Sequence, residues 1–478
     1  MTKNKFYITT TLPYVNSEPH VGFALEIIRA DVIARYKKLI GHDVFFNTGT
    51  DEHGIKIYKK ALELGIDVQK YVDQNADKFK ALKDILGLSP DIHFIRTTDK
   101  NHIASAQAFW KICFDNGYIY KKNYKIKYCI GCELEKTDSE LVDGKCEFHP
   151  NQAIEIIDEE NYFFTFSKFQ KALLALYESN PDFVVPDFRF NEIKAFVGRG
   201  LEDFSISRLK SKMPWGVPVP NDENQVMYVW FDALVNYIST IGWPNNIQSF
   251  TDWWPVTQYC GKDNLRQQSA MWQAMLMACS IPPSKQIVVN GFITGDGGIK
   301  MSKSLGNVIN PLDVVNTYGT EALRYFVTRE LHPFEDGPFT MERFKEVYNA
   351  NLANGIGNLA SRILKMSTVN EITVKDDVLE NSFSWSKDDN LESFNIKAFG
   401  DDIWREIGEL DKSIQDKQPF KLIKTDFISG KKEIESLLVG LYRIAKRLEP
   451  IMPITSSIVK GLIKENRMPD KPLFLRKD

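Results

Sequence analysis

The chain has 478 residues, 43% apolar and 26% charged. That is globular composition, and it excludes a disordered chain, a collagen-like chain and a disulfide-dense mini-protein. At about 100–200 residues per domain, two to four domains are expected. Sixty Lys and Arg oppose 63 Asp and Glu, a formal net charge of −3, so any nucleic-acid surface must be a local basic patch. No apolar run approaches the roughly 18 residues of a spanning helix, so no membrane contact is expected. The N-terminus lacks a secretory h-region, and a cytoplasmic location is the expectation.

The predicted elements begin with a strand over 6–11. A loop over 12–19 follows, broken by Pro13 and Pro19. A helix over 23–39 carries Ile27, Ala30, Ile33 and Ala34 on one face, with Gly41 as its stop. A second strand starts at 44–46. Strand–helix–strand predicts a parallel α/β sheet with ligands beyond the carboxyl ends of its strands. From about 118 to 224 the character changes and an insertion is predicted. Residues 226–231 (Val-Met-Tyr-Val-Trp-Phe) read as a buried strand, and 286–292 as another. From about 343 the pattern stays helical, over 344–367, 399–418 and 433–448, which predicts a helical bundle.

The insertion holds Cys129-Ile-Gly-Cys132 and Cys146-Glu-Phe-His149, separated by a loop with Asp143-Gly144. Each short clamp can aim two side chains at one tetrahedral ion. Three thiolates and one imidazole leave no open position, which points to a structural zinc. Cys113, Cys260 and Cys279 lie in apolar surroundings and read as buried thiols.

Two segments point to ATP. Pro19-His20-Val21-Gly22-Phe23 opens a helix after a strand and loop. There His20 can donate to phosphate, Gly22 admits a ligand to the backbone, and the helix N-terminus favours an anion. The second segment, residues 295–306, is a glycine-rich loop with Lys300, Ser302 and Lys303. It can close over a triphosphate and neutralise the charge that develops as pyrophosphate leaves. It does not match the G-x-x-x-x-G-K-[ST] loop.

These segments resemble the HIGH and KMSKS signatures of class I aminoacyl-tRNA synthetases, the second letter for letter. TGTDEHG at 48–54, the four-ligand insertion, FSISR at 204–208, YVWFDAL at 228–234, GKD at 261–263 and NLASR at 358–362 are similar to the methionyl-tRNA synthetase family in particular. The resemblance implies a Rossmann-like parallel sheet split by a zinc-containing insertion, followed by an all-α helical bundle. The domains would be 1–117 and 225–342 for the two halves of the catalytic domain, 118–224 for the connective insertion and 343–478 for the anticodon-binding region. It implies a methionine–tRNA ligase with ATP, L-methionine and tRNA(Met) as partners, and Mg²⁺ with the ATP.

By the same resemblance, His20, Lys300 and Lys303 are the catalytic residues. His20, Gly22, Gly261, Asp263, Lys300, Ser302 and Lys303 bind ATP, with Asp263 at the ribose. Asp51 holds the methionine ammonium with Arg208 as its ion partner. Leu12, Tyr14, Trp230, Ala233 and Tyr237 shape the side-chain pocket. Asn358 and Arg362, one helical turn apart, read the CAU anticodon, and Phe420 stacks on an anticodon base. Lys417, Lys421, Lys424, Lys431, Lys432, Arg443, Lys446 and Arg447 supply the local basic patch.

The chain departs from the family at three places. Phe23 replaces the second histidine of HIGH, Gln267-Gln268 stands where a Phe-His pair is usual, and Leu234 replaces a proline found in some members. Longer members add a C-terminal dimerising module, so a monomer is expected here. Two rival readings are a catalytically impaired tRNA-binding paralogue and a class I synthetase for another apolar amino acid.

Overall fold

The computed structural model describes residues 4–16, 18–132, 134–136, 140–299, 301 and 308–478. Its centre is a six-stranded, wholly parallel sheet in the order His93–Arg96, Asp43–Thr50, Lys5–Thr9, Val256–Gly261, Gln286–Asn290, Val184–Val185. Chain order runs outward from the Lys5–Thr9/Val256–Gly261 pair on both sides, except that the edge strand Val184–Val185 comes earlier in the chain than its two neighbours. Loops leaving the carboxyl ends of those two strands diverge and leave a crevice between them. The inner strands are buried along most of their length, polar residues included, because helices cover both faces.

The Val21–Leu39 helix covers one face, and fifteen of its 19 residues are buried. Its buried Arg29 donates to the carbonyls of Val327, Leu331, His332 and Pro333 and to Asn290 Oδ1. Asp31 meets the buried guanidinium of Arg324 at 2.9 Å. These contacts tie the helix to the chain that leads into the C-terminal helices, and one apolar core runs from Phe6 and Ile8 to Leu441 and Leu462. On the other face Phe109, Trp110, Phe231 and Trp272 form a second core.

The region after residue 118 contains a long antiparallel hairpin, Ile119–Cys129 against Glu155–Phe164. The span read as an insertion also contains Val184–Val185, which is an edge strand of the parallel sheet. Two residues are too short to produce a periodic signal. The reading of 226–231 as one strand is corrected. The strand Asp222–Met227 belongs to a small antiparallel sheet with Ser207–Leu209 and Pro218–Val219, and Val229–Ala233 is a short helix. The Tyr228 carbonyl accepts from both Phe231 and Asp232 N–H, which turns the chain. An apolar run of six residues does not by itself distinguish strand from buried helix.

From Met341 the described elements are helical, among them Asn358–Val369, Ile396–Lys417, Phe427–Leu448 and Pro453–Lys464. No helix of the described residues is long and apolar enough to cross a membrane.

Candidate active site and metal centre

A cavity of about 430 Å³ opens at the crevice between the two central strands. The loop after Lys5–Thr9 brings Leu12, Tyr14, His20 and Gly22 to it. Gly261 and Asp263 come from the end of Val256–Gly261 and the turn after it. Asp51 follows the strand Asp43–Thr50, and the short helices of 229–239 contribute Trp230, Ala233 and Tyr237. The structure therefore brings together ten predicted site residues that lie as far apart in sequence as Leu12 and Asp263.

His20 caps the helix it precedes, its Nδ1 accepting from Gly22 N–H at 3.1 Å. A neutral imidazole that accepts at Nδ1 carries its proton on Nε2, which is then a donor for a ligand. A Cβ on residue 22 would fall 2.9 Å from the His20 ring and displace it from its capping position, so glycine suits this site. At the other strand end a Cβ on Gly261 would lie 2.7 Å from Asp263 Oδ1. Lys262 anchors that turn through Asp336 at 2.7 Å.

The Asp51 segment is pinned from three sides. Its backbone pairs with the Pro13–Val15 loop. Its neighbour Glu52 receives a two-pronged ion pair from Arg96 at 2.7 and 2.8 Å. Two residues on, His53 Nδ1 lies 2.6 Å from Asp232 Oδ2, and His102 Nε2 lies 2.8 Å from Asp232 Oδ1. Burial alone would raise the Asp232 carboxyl, but the two imidazoles hold it down at about 2. Arg208 does not line the cavity. It is 6% exposed, donates to Ser205 Oγ and the Ser207 carbonyl, each at 2.7 Å, and lies over the ring of Tyr228.

Sequence reasoning assigned no role to His53, Asp232 or His102, and missed Glu26. Glu26 lines the cavity and accepts from Thr11 N–H and Oγ at 2.7 and 2.6 Å. Burial lifts its carboxyl to about 8; the Thr11 hydrogen bonds oppose the rise and the charge of Asp263 adds to it. A lone acid inside the apolar run Phe23-Ala24-Leu25-Glu26-Ile27-Ile28 was the available signal.

The departures fall on this cavity. Phe23 packs edge-on against Phe79 with ring centroids 5.5 Å apart. Gln267–Met271 forms a π-helical turn, a feature frequent at functional sites. From it Gln268 Nε2 donates to Tyr237 Oη at 2.8 Å, while its Oε1 accepts from Gln258 at 2.7 Å. The predicted Lys300, Ser302 and Lys303 lie outside the described residues.

Cys129, Cys132, Cys146 and His149 converge as predicted, every ligand atom within 4.8 Å of the others. Cys132 Sγ is 3.4 Å from Cys146 Sγ and 3.3 Å from His149 Nδ1, and the other two sulfurs lie 3.9 Å from that nitrogen. A tetrahedral ion with Zn–S of about 2.3 Å and Zn–N of about 2.0 Å has edges of about 3.5–3.8 Å. The group can hold a metal ion. Cys113 Sγ and Cys279 Sγ are 3.3 Å apart, and Cys113 and Cys260 are buried while Cys279 is half-buried.

In the helical region Asn358 is exposed and opens the Asn358–Val369 helix, directly after a π-helical stretch. Arg362 is ion-paired to Asp411. Phe420 is 43% exposed at the start of the Pro419–Thr425 helix. The predicted basic patch is smaller than its sequence suggests. Lys417, Lys431, Arg443, Lys446 and Arg447 are paired with glutamates. Lys421, Lys424 and Lys432 form no ion pair among the described residues, and Lys421 lies beside the Phe420 ring.

The family model for class I tRNA synthetases (M) matches residues 6–155 and 131–364. The methionine–tRNA ligase of Thermotoga maritima is 40% identical across 98% of this chain and 76% of its own length. That of a Synechocystis species is 39% identical across 95% of this chain and 88% of its own. The Mycobacterium tuberculosis methionyl-tRNA synthetase in complex with methionyl-adenylate superposes with a TM-score of 0.89 at 34% identity, covering 96% of this chain and 94% of that one. The sequence signatures, the crevice they build and these likenesses place the chain in the methionyl-tRNA synthetase family of the class I tRNA synthetases.

Proposed function

We infer that this protein is a methionine–tRNA ligase whose activation chemistry takes place in the 430 Å³ cavity. The observation that carries this reading is the convergence of a histidine-capped helix N-terminus, an aspartate-bearing strand end and an acidic, aromatic pocket at one sheet crevice. In the first step the methionine carboxylate attacks the α-phosphate of ATP, forming methionyl-adenylate and releasing pyrophosphate. No side-chain nucleophile is required, because catalysis is positioning and charge stabilisation. His20 Nε2 and the N-terminus of the Val21–Leu39 helix face the phosphates, and Gly22 admits them to the backbone. Gly261 and Asp263 hold the ribose. Asp51 holds the ammonium, with Arg208 proposed as its ion partner; Leu12, Tyr14, Trp230, Ala233 and Tyr237 enclose the thioether. Lys300 and Lys303 supply charge on the pyrophosphate side, and Ser302 contributes to ATP binding. In the second step the terminal ribose of tRNA(Met) takes the methionyl group.

Mg²⁺ accompanies ATP, held chiefly by the substrate phosphates. Zinc is the ion the Cys₃His group suits, held by Cys129, Cys132, Cys146 and His149 in a closed structural site. Asn358, Arg362 and Phe420 face the CAU anticodon. The division into 1–117, 118–224, 225–342 and 343–478 is the organisation we propose, with the cytoplasm as the place of action.

Methionine-dependent ATP–pyrophosphate exchange tests this reading, with leucine, isoleucine and homocysteine alongside. Exchange with methionine well above leucine and isoleucine is expected. No exchange with any amino acid, in a folded, zinc-loaded sample, would leave a tRNA-binding paralogue as the better account.

A further inference from the structure

The metal centre and the substrate cavity share a wall. Gly131 and Cys132, from the first metal clamp, line the cavity beside Tyr14, Asp51 and Lys56. Lys56 sits in the first turn of the Ile55–Glu63 helix, five residues after the predicted ammonium ligand Asp51. Its Nζ donates to the Gly131 carbonyl at 2.6 Å and lies 5.8 Å from the centre of the Tyr14 ring. Gly131 in turn is pressed against the metal ligand His149. A Cβ on residue 131 would fall 2.2 Å from His149 Cγ and 2.4 Å from Cδ2.

This makes a continuous physical chain. An ion fixes the His149 ring; the ring fixes the Gly131 peptide; the peptide carbonyl fixes the Lys56 ammonium. Lys56 lies against Tyr14, whose backbone is bridged to Asp51. A lysine ammonium is a compact point charge with three rotatable donors, and a charge-assisted bond to a carbonyl is stronger than a neutral one. The link therefore survives in a half-buried position where a neutral amide would compete poorly with water.

We propose that Lys56 is a positioning residue that couples the metal knuckle to the substrate cavity, so that ion binding at the knuckle and methionine binding in the cavity strengthen each other. The proposal rests on the reading of the cavity as the methionine site. Linkage requires the two effects to be equal: methionine raises zinc affinity by the factor by which zinc raises methionine affinity.

The test measures zinc affinity of the full chain against a competing chelator, with and without saturating methionine. About a fivefold gain with methionine is expected for the native sequence. Lys56→Met should reduce the gain to less than twofold while still binding zinc, and Lys56→Arg should restore most of it. Amide hydrogen exchange over residues 129–152 of the native chain is the second readout; methionine should slow it. If native protein binds methionine and shows exchange activity, but zinc affinity and knuckle exchange do not respond, the coupling is wrong and the active-site reading stands. An equal gain in Lys56→Met also overturns the role of Lys56. If native protein binds no methionine, the active-site reading fails and the proposal with it.

Discussion

Asp232 Oδ2 lies 2.6 Å from His53 Nδ1, which joins the short helix carrying Trp230 and Ala233 to the segment carrying Asp51. The second oxygen binds His102 on the Lys100–Asp115 helix, so one buried carboxylate fixes three elements around the pocket. Asp232→Asn keeps the shape and removes the charge. A hydrogen bond to a buried carboxylate contributes about 1.5–3 kcal/mol, and the isosteric amide retains part of that. We expect a lower thermal midpoint and about a tenfold rise in KM for methionine, with a smaller change in KM for ATP. Equal rises for both substrates would show that the residue is only structural.

Gln268 holds Tyr237 from behind. Gln268→Ala leaves the Tyr237 hydroxyl and the Gln258 amide without this partner in a buried site, a loss of about 1–3 kcal/mol. The expected outcome in pyrophosphate exchange is a methionine KM about tenfold higher with kcat within a few-fold. An unchanged KM would mean that Tyr237 is held by its other contacts, among them the ring of Trp272, whose centroid is 6.0 Å away, and Tyr7 Oη, which donates to its carbonyl at 2.8 Å.

Glu26 gives the pH dependence a direction. Its carboxyl titrates at about 8 when folded, against 4.5 ordinarily. Between those values the folded chain holds a proton that the unfolded chain has released. Its contribution to stability is full below about pH 4.5 and is lost as pH rises toward 8. Glu26→Gln has no such proton. Urea unfolding at several pH values between about 5 and 8 should show native stability falling relative to the variant, by up to a few kcal/mol. Parallel curves would contradict the assignment.

Arg362 is held by Asp411 before any RNA arrives. Arg362→Ala should lower kcat/KM for tRNA charging about 10–100-fold, a loss of about 1–3 kcal/mol, and leave pyrophosphate exchange unchanged. Asp411→Asn frees the guanidinium and should not reduce charging. Loss of exchange in Arg362→Ala would place its effect on the catalytic fold rather than on the anticodon.

Much of this was legible in the sequence because local spacing carries it. The two metal clamps, the His20–Gly22 helix start and the Asn358–Arg362 turn need only near neighbours to be recognised. The parallel sheet followed from strand–helix–strand patterning at the N-terminus. What was not legible depends on residues far apart in the chain. Val184–Val185 becomes a sheet strand only because Gln286–Asn290 offers it an edge. Trp230 sits in a helix rather than a strand because of a turn at Tyr228 that a six-residue apolar run does not encode. The basic patch shrank because Glu380, Glu406 and Glu433 reach it from elsewhere on the helices. Lys56 and Glu26 take their meaning from Gly131 and Thr11, which no sequence periodicity connects to them.

In the function proposed above, one chain activates methionine and delivers it to a tRNA read through CAU. The direct measurement is charging with labelled methionine and ATP, using tRNA(Met) and the same tRNA with its anticodon exchanged. Acid-stable, base-labile methionyl-tRNA is expected with the CAU transcript, and at least about tenfold less with the exchanged one. No charging of either tRNA by folded, zinc-loaded protein would contradict it.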